Sequence, residues 1–437
     1  MPKRIFAAVL FVTLTGIAGL SALKVAAAPN QSPGQADPVI GWPFPISAVP
    51  DPAVERAPAI AYNSQDHEFL VVWENDRPSA DNDIYAQRVS IDGRLLSWFY
   101  VADGTDPDVA YNPKHNDYLV VYSKLVGGDT DIYARRVDYT GPLHPEFFVS
   151  NVLDRDEMRP RLDYNTHPSY DSFLVVWYEI DFSGTSDWVY VRGQLVTGVE
   201  GAGFLGGNTL ITEHNIAVDQ VNYHSVPDVT YNLNHNEFLV VYVKDPSLAG
   251  GTGAEDIYGR RMTADGVLLA ENPIDVFEGK QDYPAVAAYR LNSSYPYFVV
   301  YDDYWGDPNG SVRGIRLQVD GTPGAGATYI NVAATLGIQQ RSPHIASSEA
   351  LGGYTVTWAE YNSGFGAWHA YARRLTGDGS LWGEAFSVSS LGAAAGSSGN
   401  HPVVAGGAPV ALSAFETSTG ISGRLIGYRV NLPLIVR

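Results

Sequence analysis

Apolar residues in this chain fall in short unbroken runs, not at helical intervals. Phe69-Leu70-Val71-Val72-Trp73 is the first run. It recurs as Tyr118-Leu119-Val120-Val121-Tyr122, Phe173-Leu174-Val175-Val176-Trp177, Phe238-Leu239-Val240-Val241-Tyr242 and Tyr297-Phe298-Val299-Val300-Tyr301. Looser copies are Tyr354-Thr355-Val356-Thr357-Trp358 and Val410-Ala411-Leu412-Ser413-Ala414-Phe415. Five β-branched and aromatic residues are too few for a helix and predict strands. Most runs are apolar at every position, so both faces of each strand must be covered, whereas a sheet with one wet face would alternate. Burying five such side chains stabilises by roughly 10 kcal/mol, at about 2 kcal/mol each.

Each run sits inside a longer cassette. A proline-led strand precedes it, as in Pro58-Ala59-Ile60-Ala61-Tyr62-Asn63, and the opening proline recurs at Pro107, Pro160, Pro227, Pro284, Pro343 and Pro402. A third strand follows: Asp83-Ile84-Tyr85-Ala86-Gln87-Arg88-Val89, Asp131-Ile132-Tyr133-Ala134-Arg135-Arg136-Val137 and Asp256-Ile257-Tyr258-Gly259-Arg260-Arg261-Met262. Asp92-Gly93, Asp265-Gly266, Asp320-Gly321 and Asp378-Gly379 then supply the positive φ angles of a tight hairpin. A fourth strand ends the unit, as in Phe147-Phe148-Val149-Ser150 or Phe386-Ser387-Val388-Ser389. The pattern predicts an all-β chain of seven four-stranded antiparallel meanders. A strand-only period near 50 residues is that of a propeller blade, which buries both faces against its neighbours in a ring.

The seventh cassette holds only three strands before the chain ends. Phe44-Pro45-Ile46-Ser47 matches the fourth-strand pattern, so the N-terminal strand is expected to complete the last blade and close the ring. Proline at position 45 suits an outer strand with an unpaired side. The layout resembles the bacterial TolB-like and WD40-like propeller repeats, in which a proline-led strand and an apolar strand precede an Asp-Ile-Tyr strand. In place of the Ser-Pro-Asp-Gly turn of those repeats, this chain has Tyr-Asn-x-x-x-His/Asn-Asp/Glu. The resemblance implies the fold over residues 42–431 and no particular activity, because propellers host many.

Residues 1–28 read as a secretory signal: Lys3 and Arg4, an apolar stretch from Ile5 to Leu23, and Ala26-Ala27-Ala28 as the cleavage site. Residues 29–41 read as a linker and 432–437 as a short tail. A secreted or cell-surface bacterial protein is the expectation, with no membrane span once the signal is removed. There is no cysteine, which excludes disulfides, thiolate metal sites and lipidated cysteine. The net charge of −20 disfavours nucleic acid and anionic membranes as partners.

Candidate chemistry lies where the repeat varies. The position two after each opening proline is always aliphatic and belongs to the core. The position one after it carries Asp108, Arg161, Asp228 and His344, which should point towards the central channel. A second set follows the apolar strand: Glu74, Glu179, Asp245, Asp302, Asp303, Glu360 and Glu416. It reads as solvated loop carboxylates. Asp81-Asn82-Asp83 and Asp129-Thr130-Asp131 are fragments of a calcium loop without its full spacing, so Asp81, Asp83, Asp129 and Asp131 are weak Ca²⁺ candidates and no other cofactor is expected. Tyr304, Trp305, Phe365 and Trp368 crowd two neighbouring loops as rings beside carboxylates, which suits a sugar cleft or blade-edge cover. The arginine recurring at Arg88, Arg136, Arg261, Arg316, Arg374 and Arg429 reads as structural.

His-Glu-x-x-His, Gly-x-Ser-x-Gly, phosphate-binding glycine loops and Ser-x-Asp-x-Gly-x-x-Trp are all missing. The leading expectation is a non-enzymatic propeller that binds a protein or polysaccharide at its loop face. One alternative is a carbohydrate-active hydrolase or lyase using Asp302 or Asp303 with Glu360. The other is a structural component of the cell surface.

Overall fold

The computed structural model describes residues 39–47, 54–76, 82–181, 187–198, 209–216, 227–244, 255–277, 279–324, 327–364, 366–389 and 401–427. The predicted signal, the C-terminal tail, Asp81, Asp245, Phe365 and Arg429 lie outside them. Six antiparallel sheets are built from consecutive segments, Val54–Asp103, Thr105–Ser150, Arg155–Ile216, Asp228–Asp275, Gln281–Ala333 and Gln340–Ser387. Within each, strands lie side by side in chain order, and a short extra strand at Gly141–Pro142 flanks blade two. The fourth strand of blade three is Thr209–Ile216.

The seventh sheet joins both ends of the described chain. Val403–Gly406, Val410–Thr417 and Gly420–Gly427 are completed by Val39–Pro45. Val39 lies opposite Ile426, Ile40 opposite Leu425, Phe44 opposite Gly423 and Pro45 opposite Ser422. The closing strand therefore takes in Val39 to Gly41, which read from sequence as linker. The Ile46 and Ser47 amides both donate to the Ile421 carbonyl, at 2.8 and 3.1 Å. The first strand of every blade touches the first strands of the two blades beside it, and the last touches the first. This is a closed seven-bladed β-propeller.

The apolar runs do what their pattern demands. In blade one, Leu70 and Val72 pack with Val109, Val120 and Tyr122 of blade two. Phe69, Val71 and Trp73, alternating with them, pack with Leu412 and Ala414 of blade seven. One strand thus serves two interfaces, and all five residues are fully buried.

The hairpins explain the Tyr-Asn motif. Asn63 Oδ1 accepts the amides of Gln65 and Asp66 at 2.8 and 2.9 Å, so the side chain builds the turn itself. His67, Asn116 and Asn236 then take positive φ angles of 54°, 55° and 51°. The acid that follows receives the recurrent arginine: Arg88 grips Glu68 through two bonds of 2.7 and 2.6 Å, and Arg136 and Arg261 pair with Asp117 and Glu237. At these three positions the arginine is structural, as its recurrence implied.

Candidate functional site

The centre of the ring is organised by one repeated irregularity. In five blades the register of the innermost strand slips at the opening proline, between Arg56 and Ala59, Thr105 and Asp108, Met158 and Arg161, Asp282 and Ala285, and Arg341 and His344. In each, the residue before the proline has a positive φ: Ala57 48°, Asp106 48°, Arg159 52°, Tyr283 48° and Ser342 54°. Proline already restricts that residue, and a left-handed non-glycine costs about 1–2 kcal/mol. The bulge is sustained because its amide finds an acceptor. Glu416 takes the Ala57 amide at 2.9 Å, Glu74 takes Asp106 at 3.1 Å, Ser123 takes Arg159 at 3.0 Å and Asp302 takes Ser342 at 3.1 Å. Each acceptor belongs to the preceding blade and follows its buried aromatic residue. Where that position is Val243, the Tyr283 amide turns instead to its own neighbour, Asp282, at 3.0 Å.

This corrects the reading of Glu74, Asp302 and Glu416 as solvated carboxylates: they are latches between blades. Burial pushes the Glu74 carboxyl up and Glu416 up to about 7, and holds Asp302 well above the usual carboxylate range. Asp302 and Asp303 are adjacent on one strand and face opposite sides of the sheet. Asp303 pairs with Arg313 at 2.8 Å, and Glu360 accepts Gln340 at 2.7 Å. Each of the three carboxyls thus has a different partner.

A second layer of cross-blade bonds lies one turn of chain deeper. Asp108 accepts the Leu162 amide at 3.0 Å, Asp228 accepts Val286 at 2.8 Å, and His344 Nδ1 takes the Val404 amide at 3.3 Å. Asp163 does the same for Tyr231 at 2.7 Å. Innermost strands are sheet edges, and these side chains satisfy amides that the edge leaves unpaired. Asp108, Arg161, Asp228 and His344 are brought together, since the Arg161 charge acts on the other three. Desolvation raises Asp228 to about 7 and lowers His344 to about 4. All four lie deep within the ring yet keep part of their surface open to lumen water.

At the loop face side chains from different blades meet across the lumen. Arg159 of blade three hydrogen-bonds Tyr283 of blade five. The Tyr283 ring lies 6.5 Å from the ring of His401 in blade seven. These contacts reach across the channel at its loop-face mouth, the cup. Arg341 stacks here, its guanidinium 3.9 Å from the centre of the Trp368 ring. Tyr304 feels Asp302, Asp282, Arg341 and Tyr283. His401 is exposed on the lumen side, and desolvation by its surroundings, then Arg159, Arg161 and Arg341, lower its pKa to about 4. The imidazole is neutral at physiological pH and feels the charge of three guanidiniums. Arg159, Tyr283, Arg341 and His401 were not singled out from sequence. The signal lay in the residues before the opening proline, which vary between blades as widely as those after it.

The aromatic candidates divide. Trp368 is buried beneath Arg341 and against Tyr361, so it is not an exposed ring. Trp305 is 54% exposed. Asp83 and Asp131 are buried, with Asp131 raised to about 6 by burial and by Asp129. Asp129 accepts the Asp154 amide at 3.2 Å. Among the described residues, no three acidic or histidine side chains gather as a metal cluster.

No protein-family model matches the chain, and no curated protein matches it. Its shape is similar to an α-L-arabinofuranosidase from Fusarium graminearum in complex with an iminosugar inhibitor, at 12% identity over 90% of this chain and 98% of that one, with a TM-score of 0.48. It is also similar to the hemagglutinin-neuraminidase ectodomain of parainfluenza virus 5, at 9% identity over 90% and 84% of the two chains, with a TM-score of 0.42. A prolyl endopeptidase matches at 12% identity over 83% of this chain and 45% of that one, with a TM-score of 0.46. Likeness of this degree concerns the ring of blades and says nothing of activity.

Proposed function

We propose that the protein is a secreted propeller that binds an anionic, carboxylate-bearing glycan in the cup at its loop face. One observation carries the reading: the charges of Arg159, Arg161 and Arg341, from blades three and six, all act on His401 in a chain whose net charge is −20. The neighbouring carboxylates are engaged by backbone amides of adjacent blades. Guanidinium forks match carboxylates in two-bond geometry, and Tyr283 and Tyr304 supply hydroxyls and ring faces for a sugar. The test is an array of acidic and neutral glycans, followed by calorimetry on the best ligands. Acidic glycans should bind and neutral counterparts should not. Equal binding of both, or binding of neither, overturns the reading.

A second reading, glycoside hydrolysis, is favoured by Asp282. This carboxyl adjoins Tyr283 at the cup and pairs with Lys280 at 3.2 Å, while burial raises it to about 7, a value suited to proton donation. Release of reducing sugar from a bound glycan, abolished in Asp282→Asn, supports it; binding without turnover removes it.

A further inference from the structure

Beyond the cup, three aromatic rings and one guanidinium form a continuous surface on the rim of blades four and five. Trp305 follows the second strand of blade five, Tyr329 precedes its fourth, and Phe277 follows the fourth strand of blade four. Arg313 lies between two of the rings, its guanidinium 5.4 Å from the centre of Trp305 and 5.1 Å from that of Tyr329. Phe277 meets Tyr329 edge-on, with centres 5.4 Å apart and planes at 82°. Trp305 and Phe277 remain 54% and 64% exposed.

Scattered exposed apolar residues are ordinary, but rings in mutual contact at the surface are not. These rings are also fixed. Asp303, itself buried, anchors Arg313 at 2.8 Å. Gly279, with φ of 107°, lies so close that a Cβ there would come within 2.9 Å of the Trp305 Cβ. Rings held in place lose little freedom when a ligand covers them.

We infer that Trp305, Tyr329 and Phe277 form a sugar-stacking subsite, continuous with the cup, so that the ligand is an acidic oligosaccharide or polysaccharide and not a single sugar. This rests on the reading of the cup as an acidic-glycan site. Continuity comes from the chain: Tyr304 faces the cup and Trp305 faces the rim, and consecutive Cα atoms are about 3.8 Å apart. The surroundings suit a sugar better than a protein. Lys280 paired with Glu255 at 3.4 Å borders the rings with a donor and an acceptor for hydroxyl groups. Aromatic faces with a few placed polar groups match a ring that has C–H faces and a hydroxyl edge.

The test measures calorimetric affinity for uronic acid monomers, trimers and hexamers of several backbones, with neutral cello-hexamer alongside. The proteins compared are the wild type, Trp305→Ala, Trp305→Tyr and Arg159→Ala. The wild type should bind an acidic hexamer at least about 10-fold more tightly than its monomer. Trp305→Ala should erase that gain and leave the monomer unchanged, Trp305→Tyr should restore most of it, and Arg159→Ala should weaken every acidic ligand. Affinity that does not depend on length, or a hexamer indifferent to Trp305→Ala, overturns the subsite. Indifference is also the result if the rings serve a protein partner. A neutral hexamer that binds as tightly as the acidic ones, and depends on Trp305, upholds the subsite and overturns the cup's preference for acid. Binding of no glycan overturns both.

Discussion

Glu416 accepts the backbone amide of Ala57 at 2.9 Å, across 359 residues of sequence. The bond joins the last blade to the first, and it repeats the latch by which Glu74 holds Asp106 and Asp302 holds Ser342. Ring closure therefore uses the same device as every other latched blade interface, with the N-terminal strand added on the outside.

The latch gives stability a pH dependence with a definite sign. Burial raises Glu416 from 4.5 to about 7. A carboxyl raised on folding holds more protons in the native state between those values, so its contribution falls as pH rises through that window and is level above it. The melting temperature of the wild type should drop between about pH 5 and pH 7. In Glu416→Gln the amide oxygen still accepts the Ala57 amide and nothing ionises, so the drop should be smaller and the variant should gain at pH 8. Thermal melts across pH 5–8 check this; parallel curves for the two proteins would refute it.

A different latch links stability to the cup. Ser123 is buried and accepts the Arg159 amide at 3.0 Å. Ser123→Ala leaves that amide unpaired, at about 1–3 kcal/mol, and loosens the bulge that aims the Arg159 side chain. Urea denaturation should show the loss of stability. Calorimetry should show weaker binding of an acidic glycan even well below the melting point. Lost stability with unchanged affinity would separate the latch from the site.

Much of this architecture was legible because it repeats. The all-apolar runs demanded cover on both faces, and Leu70 with Phe69 shows both covered. The match of Phe44-Pro45-Ile46-Ser47 to later fourth strands located the closure. The site was half legible. Asp108, Arg161, Asp228 and His344 do gather, because alternation in an inner strand fixes their direction. Sequence could not show that the chain bulges at the proline, since a register slip needs no special residue. It therefore missed Arg159 and Tyr283, and it took Glu74 and Glu416 for wet loop groups. A carboxylate that caps an amide three strands away leaves no local mark.

Closure itself can be tested through one side chain. Ile46 is fully buried and lies against Gly423, where a Cβ would come within 2.6 Å of the Ile46 Cδ1. Ile46→Ala should cost about 2–5 kcal/mol, read as a lower urea midpoint. The unfolding slope should stay near that of the wild type if the ring opens and unfolds as one unit. A negligible shift would mean that the N-terminal strand contributes little to the ring.

The arginines make the sharpest functional prediction. A charge-assisted hydrogen bond contributes about 1.5–3 kcal/mol, which is roughly 10- to 100-fold in affinity. Arg159→Ala and Arg341→Ala should each weaken an acidic glycan by that factor. Arg341→Lys should recover only part of it, because an ammonium keeps the charge but loses the two-bond fork and the stacking on Trp368. Raising the salt concentration should weaken the wild type more than either alanine variant, since the removed charge no longer contributes an attraction to screen. Calorimetry on the three variants at two salt concentrations decides the matter. If the alanine variants bind as the wild type does, the ligand does not sit on this cluster and the cup is not the binding site.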